Sequence, residues 1–66
     1  MNKNAKEVIQ KGIERFTLYF DKESADGGMF VMIGKIGLAA EIGQITMEEM
    51  DEFITQIFQE HSKVKE

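Results

Sequence analysis

From Ala5 the apolar positions Ala5, Val8, Ile9, Gly12, Ile13, Phe16, Tyr19 and Phe20 recur at intervals of three and four, the spacing that gathers side chains on one face of a helix. This predicts a first helix over 3–21. Its second half carries a competing pattern. Phe16-Thr17-Leu18-Tyr19-Phe20 alternates and is rich in strand formers, and Asp26-Gly27-Gly28 can turn the chain into Met29-Phe30-Val31-Met32-Ile33 as a hairpin. The segment from Lys22 to Gly28 is polar and glycine-ended, and reads as a loop with Ser24 or Asp26 available to cap the next element.

From Met29 to Ile42 the chain is apolar nearly all round, interrupted by Lys35 and Glu41. This predicts a second helix over 28–42, buried on several sides and packed between the other two. Gly34, Gly37, Ala40 and Gly43 fall at intervals of three along it and leave a shallow groove. An interior glycine costs up to about 1 kcal/mol against alanine, so these positions ask for a packing reason such as the close approach of another helix. The alternative is that they mark bends or bulges in strands.

A stop signal and a start signal then meet. Gly43 can close the second helix in the left-handed conformation, Thr46 can cap the next, and Glu49 can return the bond as a capping box. Ile45 before the cap and Met50 at the fourth helical position can form a hydrophobic staple. A last helix is predicted over 46–62. Met47, Met50, Ile54, Ile57, His61 and Val64 step by three and four, Phe53 and Phe58 widen the stripe, and residues 63–66 fray.

These elements make an all-α fold, a small three-helix domain with a C-terminal helical hairpin. The alternative is an α+β fold with a β-hairpin over about 15–34 flanked by two helices. The expected core is Val8, Ile9, Ile13, Phe16, Phe20, Phe30, Ile33, Leu38, Ile42, Met50, Phe53, Ile54, Ile57 and Phe58.

Sixty-six residues make one domain, and a chain of that size buries only about 60% of its unfolded surface. No cysteine is present to add a disulfide or zinc cluster, and the single His61 lacks partners at metal spacing. Ten residues are Met or Phe, more large flexible apolar side chain than a small monomer easily hides, which points to a homodimer or higher oligomer. The longest apolar-rich run is 14 residues, whereas a membrane-spanning helix needs about 20. The polar opening Met1 to Glu7 is not a secretory signal, so a cytoplasmic protein is expected, with no membrane partner.

Charge is unevenly placed. Residues 1–22 hold five cationic side chains against three acidic ones, while residues 44–62 hold Glu48, Glu49, Asp51, Glu52 and Glu60 with no Lys or Arg. Complementary rims on a first and last helix that lie side by side, or that pair between subunits, account for this, and acids in the first turn also suit the helix dipole. A basic partner facing those acids is the sharper reading.

No constellation supports catalysis. His61 has no nucleophile or paired acid at a useful spacing, the serines and threonines carry no elbow motif, and Glu48 with Glu52 lack the Glu-x-x-His pair of helical-bundle metal sites. Gly27-Gly28 is no phosphate-cradling loop. No enzyme activity and no cofactor are expected. A recognition helix opening Thr46-Met47-Glu48-Glu49 would press acids toward phosphates, and a pI near 4.9 gives no general attraction to nucleic acid. The first helix has basic residues for a membrane surface, yet its apolar face is needed for the core. The expected function is therefore a non-enzymatic protein-protein interaction module. It would self-associate through a Met- and Phe-rich surface at Gly34, Gly37, Ala40, Met47, Met50, Phe53 and Phe58, with another protein as a further partner. The alternative is a small acidic regulatory protein acting on DNA or on a DNA-binding protein.

Overall fold

The computed structural model describes residues 4–64. They form helices α1 (Ala5–Glu14), α2 (Phe16–Tyr19), α3 (Ala25–Glu41) and α4 (Met47–Lys63), with no strand among the described residues. The fold is all-α, and the β-hairpin over 15–34 is not supported: that stretch is the turn of α2, a loop and the first part of α3. The predicted helix start at residue 3 lies outside the described residues, as do 65 and 66 of the expected frayed tail. Lys63 is still helical and Val64 is the C-cap.

The side chain of Asn4 caps α1, its Oδ1 accepting from the Glu7 N–H at 2.8 Å. The expected continuous helix breaks at Arg15 (φ −98°, ψ 5°), resumes for the single turn of α2 and ends at Tyr19. Residues 16–20 are mostly middling helix formers, so tertiary packing decides their course. Phe16 becomes fully buried, and Phe20 lies tilted against it with ring centroids 4.9 Å apart.

The loop after α2 is fastened by Asp21. Its Oδ1 accepts from the Glu23 and Ser24 N–H groups, each at 3.0 Å, and the Ser24 hydroxyl accepts from the Asp21 N–H at 3.0 Å. The Ser24 N–H and the Ser24 hydroxyl, which donates to the same Oδ1 at 3.1 Å, hold the Asp21 carboxyl below the ordinary carboxylate range. Ser24 does stand at the N-cap of α3, but its side chain turns back to the loop and caps no helical N–H. Asp26 lies in the first turn and pairs with His61 instead.

The α3–α4 connection matches its sequence signals. Gly43 adopts φ 81°, the Gln44 N–H bonds to the Ala39 carbonyl at 2.8 Å and the Gly43 N–H to the Ala40 carbonyl at 3.1 Å, the Schellman arrangement. The capping box of Thr46 and Glu49 is complete, at 3.0 and 2.8 Å. Ile45 is buried, and Met50 packs against the same core.

Helices α1, α3 and α4 each touch the other two, so they form a triangle, and α2 packs against α1 and α4. The second long helix is thus not enclosed between its neighbours. In a triangular bundle every helix keeps one outward face, and α3 is apolar on that face too. This overturns part of the expected core: Val8, Phe30, Leu38, Ile42 and Phe58 are each more than half exposed. Their places are taken by Ala25, Met32, Ile36 and Ala39 on the inner side of α3 and by Ile45 in the turn, beside the expected Ile9, Ile13, Phe16, Phe53 and Ile57. Phe20, Ile33, Met50 and Ile54 are partly buried against this cluster.

Candidate functional site

The two sides of α3 divide cleanly. Ala25, Gly28, Met32, Ile36 and Ala39 step by three and four along the buried side. Opposite them, Phe30, Gly34 and Leu38 recur at intervals of four, with Val31 and Ile42 alongside, and none of these is buried. Phe30 is 74% exposed. From Phe30 to Ile42 this stripe runs about 18 Å along the helix axis. Its four large side chains present about 400 Å² of apolar surface, as much as the largest patch on a typical monomer.

The stripe continues sideways toward α1, and α4 carries an apolar edge of its own. Toward α1 it borders a groove of about 480 Å³ lined by Val8, Ile9, Met32, Leu38, Ala39 and Ile42, with Lys35 and Gln44 as polar rim groups. Toward α4, Met47, Ile54, Phe58 and His61 lie at heptad-like spacing along one edge, and His61 at its end reaches α3. Met47 and Phe58 on that edge are exposed. Lys35 stands beside the stripe, not across it.

The expected interaction residues are only partly brought together. Gly34 and Gly37 lie away from the buried side of α3, and among the described residues a Cβ on either would meet no atom within 4 Å. Ala40 is half-buried against the core. Met50 and Phe53 face inward on α4 and belong to the core, whereas Met47 and Phe58 lie at its exposed edge. The close approaches that need glycine occur elsewhere. A Cβ at Gly28 would fall 2.7 Å from the Phe20 ring, and one at Gly12 would fall 2.9 Å from the Met32 methyl. Of the exposed residues that the sequence pattern places inside, Phe30, Leu38 and Ile42 lie on the face itself and Val8 lines the groove beside it. The signal for them is a helix with two apolar sides in a chain with only two other long helices to cover it.

Polar chemistry is sparse. His61 Nε2 lies 2.7 Å from Asp26 Oδ1, closing the C-terminal end of α4 onto the first turn of α3, and the imidazole centroid is 6.4 Å from that of Phe16. Lys6 Nζ meets Glu49 Oε2 at 2.6 Å, joining the first turns of α1 and α4. That ammonium, with the Thr46 N–H, holds the Glu49 carboxyl below the ordinary range. Gln10 Nε2 and Gln56 Oε1 are 3.1 Å apart on the same seam. Lys6 and Glu49 thus pair the basic side of α1 with the acidic first turn of α4 within one chain. No cluster of three or more metal-ligating side chains occurs among the described residues. None of their helices is long and apolar enough to cross a membrane. No protein-family model matches the chain, and neither a curated protein nor a solved structure matches it significantly.

Proposed function

We propose that this protein is a non-enzymatic protein-protein interaction module of the cytoplasm, a setting its cysteine-free core suits, and that it self-associates through the outer face of α3. The observation that carries this reading is the second apolar side of α3. Phe30, Val31, Leu38 and Ile42 are each more than half exposed among the described residues. Burying such a patch is favourable and non-directional, so it drives association wherever a complementary surface exists. Two copies each covering about 500 Å² of patch and rim would bury about 1,000 Å² in total, the lower bound for a specific interface. That size fits a reversible homodimer better than an obligate one.

Solution mass by light scattering behind size exclusion, across a wide concentration range, tests the reading. A concentration-dependent rise to twice the 7.5 kDa chain mass is expected. Leu38→Glu on the face should abolish that rise. Leu18→Glu, at a position 79% exposed on α2 and away from the face, should leave it intact. A monomer at every concentration, or equal effects of the two substitutions, overturns the proposal.

A further inference from the structure

We infer that the second copy docks with its α3 antiparallel to the first, the two helices crossing at Gly34, and that Phe30 of each copy fills the notch left by Gly34 and Gly37 on the other. This rests on the self-association proposed above and specifies the occupant's geometry. Gly34 lies midway between Phe30 and Leu38 on the outer stripe, four residues from each. A two-fold axis passing there, perpendicular to the helix, carries Phe30 of one copy to the height of Leu38 of its partner. At that height the surface of α3 is bounded by residues 34, 37, 38 and 41, the four-residue hole into which a knob fits when helices pack. Two of its four corners are glycines with open space above them, so the hole is deep enough for a phenyl ring.

The same arrangement gives those glycines a purpose. Both sit inside a helix, where glycine is unfavourable, and among the described residues no atom lies within 4 Å of where a Cβ on either would stand. A parallel pair would set Phe30 over Gly27, Val31 and Gly34 and leave Gly37 with no role. Antiparallel helices also place opposite dipole ends side by side. On the other flank, Val31 of one copy faces Leu38 of the next, beside the α1–α3 groove.

The chain has no cysteine, so introduced thiols report contacts without background. Val31→Cys and Leu38→Cys are prepared separately, mixed and oxidised gently above the association concentration. The expected product is the mixed disulfide of Cys at 31 with Cys at 38, in excess over either symmetric disulfide. A parallel dimer would give the symmetric products, and a dimer through another face would give neither. Either result overturns the inference; symmetric products leave self-association through the outer face of α3 standing, whereas a dimer through another face overturns that as well. As an independent check, Gly37→Leu fills the notch and should weaken association at least tenfold while leaving helicity and dilute-solution thermal stability unchanged or raised. Undiminished association of a folded Gly37→Leu protein also overturns the inference. A wild-type chain monomeric at all concentrations overturns both this geometry and the function it rests on.

Discussion

Gly28→Ala tests the packing of the loop onto α3, because two opposed terms decide its sign. Alanine in a helix is favoured over glycine by up to about 1 kcal/mol. Against this, the new Cβ would lie 2.7 Å from three Phe20 ring carbons, where ordinary carbon contacts are about 3.5–4.0 Å. The ring must shift by about 1 Å, and it is tilted against Phe16, which is fully buried and has no room to yield. Overpacking of this kind costs about 1–3 kcal/mol, so the net effect is a destabilisation of up to about 2 kcal/mol. Gly27→Ala is the control, since nothing lies within 4 Å of its Cβ and only the propensity gain applies. Urea denaturation monitored by circular dichroism at a fixed low protein concentration measures both. The two adjacent substitutions should differ by about 1–3 kcal/mol, with about 4–8 °C in Tm for each kcal/mol in a domain this small. Truncating Phe20 to alanine should remove the difference. Equal effects at positions 27 and 28, or a difference that survives Phe20→Ala, would refute the account of Phe20 as the clamp over α3.

Thr46→Ala removes one half of the capping box and should cost about 1 kcal/mol in the same denaturation assay, while Thr46→Ser should retain most of it. Phe16→Ala empties a fully buried site and should cost about 3–5 kcal/mol, comparable with the whole stability of a 66-residue chain, so the variant should be largely unfolded by circular dichroism. Glu49 and Asp21 both have folded-state pKa values below their unfolded ones, so each contributes stability that is fully present above the ordinary carboxylate range. That contribution is lost as pH falls through the depressed folded values. Melting temperature measured against pH should therefore drop on the acid side, and Glu49→Gln should flatten part of that drop.

Local signals are legible where they act locally. Gly43, Thr46 and Glu49 specify the α3–α4 turn through bonds between residues at most five apart, and the structure makes those bonds. The fold class is readable from apolar spacing, and the β-hairpin alternative fails because residues 25–34 join the long periodicity of α3. Less legible is the course of residues 16–20, where the middling helix formers Phe16, Thr17, Tyr19 and Phe20 leave the choice to the burial of Phe16. The side-chain cap expected of Ser24 is absent for a related reason. Asp21, three residues earlier, offers the serine hydroxyl and N–H a competing partnership.

The candidate site is half legible, and α3 shows why. Its low amphipathicity says that both sides are apolar, but a sequence pattern measures hydrophobicity and not the number of neighbours available to cover it. Three long helices arranged as a triangle cover one side each, so Ile36 and Met32 go inward and Phe30 and Leu38 are left outside. The inner side accounts for the fold, since Ile36 is fully buried between helices. The outer side adds little to the isolated domain, least of all at Phe30, because exposed apolar atoms gain no burial there. The two sides should therefore separate experimentally. Ile36→Ala should cost about 2–5 kcal/mol of unfolding free energy. Phe30→Ala should leave the dilute monomer as stable as before and change only its association. If Phe30→Ala instead lowered the stability of the monomer, the outer face would belong to the fold, and neither the proposed self-association nor the antiparallel pairing would retain its physical basis.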